Sequence, residues 1–217
     1  MNKKHTQVFA DVCFVIQVIC TILFGGGQFL RMLTTSQGVS MTWFIFWEAF
    51  LVLNLILAVR AHQTQPSCVT LQTICSYALW TVMVTADLAV MLWKGNGVWD
   101  VNDTLTTVLG GAGVTLTLCI AYHKKLGIGD PIAKGWLAVS FKAIPQLIMA
   151  YKICLEGGAG LAGLTVIMGH MTVLTRLGQL YASLREAGWD RNRIGSALSE
   201  VANETSWMLV TIAWLIY

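Results

Sequence analysis

Long apolar stretches separated by short polar turns dominate the pattern of hydrophobic and polar positions along this chain. Seven segments can be drawn, each near the ~20 residues that a helix needs to cross a bilayer. They cover residues 8–31, 42–60, 68–93, 102–122, 135–153, 161–184 and 195–217. The sequence between them is too short to form a soluble domain. The pattern therefore predicts an all-α integral membrane protein with seven transmembrane helices.

Composition agrees with this class. Of the 217 residues, 56% are hydrophobic and only 12% are charged, against about 25% charged in soluble domains. The net charge of +3 is too small and too scattered to indicate nucleic-acid binding. Lys3 and Lys4 precede an apolar run as in a signal peptide, but no small-residue cleavage site follows, so we interpret the run as the first helix. The six cysteines mostly fall in apolar segments without metal-ligand spacing, which predicts buried thiols and no metal or cofactor.

Two segments contain residues that membrane helices usually avoid. Pro145 and Gln146 lie inside the fifth segment. Proline removes a backbone N–H and clashes with the preceding turn, so the helix must bend or loosen there, and a membrane tolerates this only beside a neighbour or a wet cavity. Gln28 follows a glycine triplet in the first segment in a similar context. We expect two hinges, formed by Gly25, Gly26, Gly27 and Gln28 and by Pro145 and Gln146.

This doubled pattern resembles the PQ-loop superfamily, which includes the SWEET (MtN3-like) sugar transporters, the cystinosin-like exporters of cystine and cationic amino acids, and the KDEL receptors. The resemblance covers nearly the whole chain, with Gly27 where the family usually has its first proline. It implies a 3+1+3 arrangement, in which residues 8–93 and 135–217 form two three-helix repeats and residues 102–122 form a linker helix. An odd number of linker helices makes the two repeats parallel.

Orientation is predicted from the distribution of Lys and Arg. Nine of these residues fall on the side of the N-terminus and three, Arg31, Lys94 and Lys152, on the opposite side. The excess predicts a cytoplasmic N-terminus, and we expect the chain to lie in the inner membrane of a bacterium. The SWEET and cystine-exporter proteins are usually described in the opposite orientation.

Aromatic and amide side chains share faces of the third and seventh segments. On each helix these residues recur at intervals of three or four positions. A face with Trp, Asn and Thr resembles a SWEET sugar site, although Ser76 stands where that family offers an asparagine. We expect the substrate site to contain Asn54, Ser76, Tyr77, Trp80, Asn203, Trp207 and Thr211. The alternative is that the tryptophans only pack or lie at the membrane interface.

Ionisable residues inside apolar segments need partners, water or protonation, because a charge at the bilayer centre costs roughly 2.5–3.5 kcal/mol. Asp87, Glu48 and His170 are the candidates for proton coupling, since burial raises a carboxyl pKa and histidine titrates near neutrality. Two alternatives remain open: Glu48 or Asp87 forms a static ion pair with Lys142 or Arg176, or these residues pack near the interface.

These features together predict a transporter of a small polar solute, a sugar or an amino acid, that works by alternating access, with proton coupling left open. The alternative is a ligand or cargo receptor of the same architecture without transport activity. Motifs of membrane enzymes are not found, so we do not expect an enzyme. The predicted partners are a small-molecule substrate, the lipid bilayer and protons, without nucleic acid; a homo-oligomer is left open.

Overall fold

The computed structural model of the chain describes residues 3–94 and 99–217, and its regular elements there are all helical. The helices are α1 (Lys3–Met32), α2 (Met41–Thr64), α3 (Cys68–Trp93), α4 (Val101–His123), α5 (Pro131–Ala138), α6 (Ile144–Glu156), α7 (Gly163–Ala187) and α8 (Arg191–Ile216). A π-helical turn, Val139–Ala143, joins α5 to α6, so the described residues form seven helices, one of them running through Pro131–Glu156. The prediction of an all-α fold is confirmed.

Polar caps determine where the helices begin. Ser67 and Asp100 each form a reciprocal capping box, with Thr70 and Asp103 respectively, and Asp190 accepts a hydrogen bond from the Arg193 N–H at the start of α8. Such caps satisfy N–H groups that have no partner within the helix. Several helices therefore begin or end a few residues outside the predicted apolar segments, because their terminal turns are polar.

Five helices are long and apolar enough to cross a membrane: Asp11–Met32, Met41–Thr64, Cys68–Trp93, Val101–His123 and Pro131–Glu156. This supports a multi-pass membrane protein. Helices α7 and α8 have sufficient length, at 25 and 26 residues, but they are more polar. Their polar side chains, among them Arg176, Gln179, Ser196 and Glu200, line a space between the helices that opens at one end of the molecule, which explains why their composition differs from that of a lipid-facing helix.

Two groups of helices enclose this interior. In the first, which we call the N-terminal half, α3 packs against both α1 and α2. In the second, the C-terminal half, α8 packs against α5, α6 and α7. The halves meet where α1 lies along α7 and where α2 contacts the π-helical turn and α6, while α4 contacts α2, α5 and α6.

The glycine triplet of α1 lies within a continuous helix, and its members have different surroundings. A Cβ on Gly25 would lie 2.7 Å from the Cβ of Met83, and one on Gly27 would lie 3.2 Å from the Cδ2 of Leu164. These two glycines allow α1 to approach α3 and α7 closely. A Cβ on Gly26 would meet nothing within 4 Å. Of the three glycines, Gly26 is therefore the one that helix packing does not require, and backbone flexibility is the remaining reason for a glycine there.

The cysteines correct one expectation. All six are free thiols, but Cys68, Cys75, Cys119 and Cys154 are exposed on the outer surface, and Cys13 and Cys20 are buried. The prediction of buried thiols is therefore wrong for four positions. Lipid tails are as apolar as a protein core, so an apolar stretch of sequence does not distinguish a helix face in the interior from one that faces lipid.

Candidate functional site

Five aromatic side chains form a cluster between the two halves. Phe24 comes from α1, Trp43 and Trp47 from α2, Trp80 from α3 and Trp207 from α8. Ring centroids are 5.0 Å apart for Trp47 and Trp80, 5.2 Å for Phe24 and Trp80, and 5.8 Å for Trp43 and Trp207. These spacings are typical of favourable aromatic contacts. We call this group the aromatic cluster.

A central cavity of about 40 Å³ lies beside the aromatic cluster. Its polar lining consists of Tyr77, Lys142, Gln146, Thr172, Arg176 and Asn203. Such a volume holds a few water molecules and is far below the ~300 Å³ or more of an open ligand site. The site is therefore contracted in this conformation, with an aromatic wall on one side and amide and cationic groups on the other.

Hydrogen bonds and charges in the cavity are unevenly satisfied. Gln146 donates from Nε2 to Oδ1 of Asn203 at 3.2 Å and accepts from the Ser206 hydroxyl. Arg176 Nη1 lies 3.7 Å from Oε1 of Glu200. Lys142 is buried, and its Nζ lies 5.3 Å from the centroid of the Phe50 ring, within the range of a cation–π contact.

A vestibule of about 530 Å³ opens on the side of the molecule that carries the N-terminus. Tyr77 and Arg176 line both the vestibule and the central cavity, so the two spaces are adjacent. A further opening of about 210 Å³, next to Lys134, shares Tyr77 and Glu200 with the vestibule. The route from this side to the central cavity is lined largely by polar groups.

The opposite end is closed by hydrogen bonds that join the last turns of α1 and the following turn 33–40 to turn 157–162. We call this contact the seal. Gln28 donates from Nε2 to the Gly160 carbonyl at 2.9 Å and accepts from the Ala162 N–H at 3.2 Å. Arg31 donates from Nε to the Ala159 carbonyl at 2.6 Å, and the Gly160 N–H donates to the Gln37 carbonyl at 2.8 Å. These bonds link the N-terminal half directly to the C-terminal half.

Close backbone contact in the seal requires glycine. Gly38 has φ +76, a left-handed conformation that favours glycine, and a Cβ there would lie 2.0 Å from the Gly157 carbonyl oxygen. A Cβ on Gly160 would lie 2.4 Å from the carbonyl carbon of Ser36. The two turns therefore pack backbone against backbone.

The beginning of α4 holds both halves at the same end. Lys152 Nζ lies 2.6 Å from Oδ2 of Asp100, while Asp103 accepts hydrogen bonds from Ser40 Oγ at 2.8 Å and from Thr42 Oγ1 at 2.8 Å. Burial would raise the pKa of Asp100, but the hydrogen bond and charge of Lys152 and the backbone N–H of Asp103 hold it below its usual value. Asp100 therefore stays ionised.

The two expected hinges differ in their contacts. Gln28 lies about one turn before the end of α1 and bonds to the seal, whereas Gln146 lies almost three turns before the end of α6 and bonds to α8. The two glutamines match in their sequence context, but they differ in their position along the helix and in their hydrogen-bond partners. Pro145 follows the π-helical turn, where the Ile144 N–H bonds to the Val139 carbonyl; such a wide turn accommodates the helix irregularity that proline imposes.

The predicted substrate residues fall into three groups. Tyr77, Trp80, Asn203 and Trp207 line the central cavity. Ser76 lines the vestibule, and Asn54 lines the neighbouring opening while donating from Nδ2 to the Phe50 carbonyl at 2.8 Å. Thr211 lies outside these cavities and contacts His170.

The predicted proton-coupling residues also differ in their surroundings. His170 is within 2.7 Å of Glu204 Oε1 through Nδ1 and within 2.9 Å of Thr211 Oγ1 through Nε2, and its ring centroid lies 6.5 Å from that of Trp207. Glu48 accepts from Thr85 Oγ1 at 2.9 Å. Asp87 is fully buried, and neither carboxyl oxygen has a hydrogen-bond partner among the described residues.

The alternative of a static ion pair is not found. Among the described residues Arg176 pairs with Glu200, and neither Glu48 nor Asp87 has Lys142 or Arg176 as an ion-pair partner. The sequence reasoning overlooked Glu200 and Glu204, which lie beside the two basic groups and His170. The sequence does contain a signal for them, because two carboxylates one helical turn apart inside a predicted membrane segment need partners in the interior.

Aromatic faces beside amide and cationic groups are suited to binding a polar solute. The vestibule connects this place to one side of the molecule. Comparison with protein-family models, with curated proteins and with solved structures finds no match to this chain.

Proposed function

We propose that this protein transports a small polar solute, a sugar or an amino acid, by alternating access between its N-terminal and C-terminal halves. In this proposal all seven helices cross the membrane, α4 links two parallel three-helix repeats, and the architecture is of the PQ-loop type. The observation that carries the proposal is a central cavity adjoining a vestibule on one side and closed by the seal on the other. This is the asymmetry expected of one end state of an alternating-access cycle.

In the proposed cycle, solute entering through the vestibule displaces water from the central cavity and separates the two walls. The seal then opens while Tyr77 and Arg176 close the vestibule. The seal consists mainly of hydrogen bonds to backbone carbonyls. Those of neutral donors contribute only about 0.5–1.5 kcal/mol each, and that of the charged Arg31 contributes about 1.5–3 kcal/mol. Breaking a few of them is within the reach of solute binding energy.

For proton coupling we propose the pair of His170 and Glu204, with Asp87 as the second candidate. The histidine contacts Thr211 and lies next to Trp207 in the cavity wall, so a change in its protonation alters hydrogen bonds on α8 beside the solute. Glu200, one turn before Glu204, and Arg176 are the other charged groups near this place on α7 and α8.

Counterflow in proteoliposomes tests the transport proposal. Purified protein is reconstituted, and exchange of radiolabelled sugars and amino acids is measured for wild type, Trp80→Ala and Trp136→Ala. We expect exchange of at least one solute, loss of it in Trp80→Ala, and wild-type rates in Trp136→Ala, because Trp136 is 52% exposed and lies away from the central cavity. Absence of exchange for every solute contradicts the proposal.

The alternative function is a receptor that binds a ligand without moving it. The observation that favours it is the number of hydrogen bonds in the seal. Binding of a solute by the detergent-solubilised protein, combined with no counterflow of that solute, would support the receptor.

A further inference from the structure

We propose that the central cavity binds its solute through a carboxylate group, held by Lys142 and Arg176. This rests on the proposed function, since it assigns the chemical class of the solute at that site. The proposal excludes a neutral sugar as the main substrate.

Lys142 is the first observation. Its side chain is buried at the cavity and contacts the face of Phe50. Within the described residues it has neither a close ion pair nor a hydrogen bond, since Glu200 acts on it only from a longer distance and is paired with Arg176. Buried cations are normally paired, because removing an ammonium group from water without compensation is expensive. An anion brought in by the solute supplies the missing partner.

Arg176 is the second observation. Its Nη1 is 3.7 Å from Glu200 Oε1, which is longer than the 2.7–2.9 Å of a close charge-assisted hydrogen bond. Within the described residues its other guanidinium donors have no hydrogen-bond partner, so they can bind a carboxylate in the two-pronged geometry that arginine favours. Glu200 thus holds Arg176 at the boundary between vestibule and cavity and leaves it available to the solute.

The charges along the route point the same way. The central cavity, the vestibule and the neighbouring opening are lined, in the described part of the chain, by the cations Lys134, Lys142, Arg176 and Arg193 and by the anions Asp190 and Glu200. Asp190 already pairs with Arg193. The excess of positive charge raises the local concentration of anions in a cleft with low-dielectric walls.

The carboxylate has two possible sources, a zwitterionic amino acid and a simple organic acid. Lys142 and Arg176 would bind either of them. The aromatic cluster is suited to an apolar side group and also attracts an ammonium group. The test therefore includes both classes.

Thermal unfolding of the detergent-solubilised protein provides the test, because a compound that binds the folded state raises the Tm. The compounds are the proteinogenic L-amino acids, the organic acids obtained by removing the amino group, the amides of both series, and a set of neutral sugars. The variants are Lys142→Met, which keeps the apolar stem without the charge, and Lys142→Arg, which keeps the charge. Lys124→Met is the matched control, because Lys124 is exposed and lines none of these cavities. Arg176→Gln is the second variant should Lys142→Met fail to fold.

We expect at least one carboxylate compound to raise the Tm of wild type while its amide does not. Its apparent Kd should rise about tenfold or more in Lys142→Met and stay near wild type in Lys142→Arg and Lys124→Met. A rise in Tm with the amino acid but not with its deaminated analogue shows that the site recognises a zwitterion. A rise with both shows that the carboxylate suffices and that the ammonium group is not required.

A neutral sugar that stabilises wild type and Lys142→Met equally overturns the inference, as does the absence of any shift with a carboxylate. Counterflow of that sugar in proteoliposomes would leave the transport proposal standing. Carboxylate binding that depends on Lys142, without counterflow of that compound, would support the carboxylate site and contradict the transport proposal.

Discussion

Individual carboxylates inside the helices differ in what surrounds them. Asp103 accepts hydrogen bonds from Ser40 and Thr42, whereas Asp87 is equally buried without a partner among the described residues. The effect of removing an acceptor depends mainly on the donors that it leaves unpaired. The same substitution at the two positions should therefore have very different consequences.

We expect Asp87→Asn to leave the Tm nearly unchanged, because the described residues offer no cation that would lose its partner. Asp103→Asn should reduce the free energy of unfolding by about 1–3 kcal/mol, since it weakens the bonds to Ser40 and Thr42. Thermal unfolding of both variants in detergent is the measurement. If Asp87→Asn is the more destabilising and neutralising Lys142 restores it, a hidden ion pair exists and the expectation fails.

At this scale the sequence predicts which residues are unusual better than it predicts their partners. Trp80, Trp207, Tyr77 and Asn203 are at the cavity as expected, because their helical spacing places them on shared faces. The pairing of Arg176 with Glu200 was not predicted. It depends on the relative rotation of α7 and α8, which sequence periodicity does not contain.

At the scale of the helix, α1 and the helix from Pro131 to Glu156 carry the residues expected to act as hinges. Close packing explains Gly25 and Gly27, and the π-helical turn lies directly before Pro145. Gly26 in α1 and Pro145 in the other helix are therefore the positions where an effect on flexibility can be tested separately from an effect on packing.

Gly26→Ala should raise the free energy of unfolding by about 0.5–1 kcal/mol, because alanine favours the helix and its methyl group meets nothing within 4 Å. If α1 bends at this residue during transport, the same variant slows counterflow. Gly25→Ala is the control and should lower stability, because its Cβ would lie 2.7 Å from the Met83 Cβ. Unchanged counterflow in Gly26→Ala would show that α1 moves as a rigid helix.

Pro145→Ala should slow counterflow more than it lowers stability. Alanine restores the N–H that proline lacks, so the π-helical turn can revert to a regular α-helix. Counterflow rates and Tm measured on the same preparation give the comparison. Equal rates for wild type and Pro145→Ala, together with a lower Tm, would assign the proline a purely structural role.

Helix ends and helix irregularities differ in how well the sequence predicts them. The caps Ser67, Asp100 and Asp190 explain why helices begin where they do, and they are recognisable as cap residues. Pro145 predicts a loosened helix, but the π-helical turn at Val139–Ala143 also depends on α2, α4 and α8, which contact it. That tertiary contribution has no local signal.

At the scale of the whole molecule, the ion pair of Asp100 and Lys152 connects α4 to the C-terminal half at the closed end. Because the pKa of Asp100 is lowered on folding, its contribution to stability is full above the unfolded pKa of about 3.9 and is lost as pH falls through the lower folded value. The Tm difference between wild type and Lys152→Met should therefore be constant from about pH 5 to 8. A difference that changes across this range would show that another group controls the seal.

The N-terminus is predicted to be cytoplasmic, because nine Lys and Arg residues fall on its side and three on the other. A pair of reporters fused after Tyr217, one active in the cytoplasm and one active outside it, tests this prediction. We expect activity only from the reporter that works outside the cytoplasm. The reverse result would place the vestibule on the external side.

The contact between α1 and α7 has a consequence for how the nascent chain enters the membrane. Gln17 on α1 bonds to Gln179 on α7 at 2.9 Å, and Gln28 bonds to the turn that precedes α7. The ribosome releases α1 first and α7 almost last, so these amides remain without their final partners while most of the chain is synthesised. Helix α7 in turn is too polar to partition readily into lipid by itself, and α1 offers it a protein surface. Biogenesis is thus completed only when the last helices return to the first, and a chain that stalls after Glu156 exposes polar groups of α1 to cellular quality control.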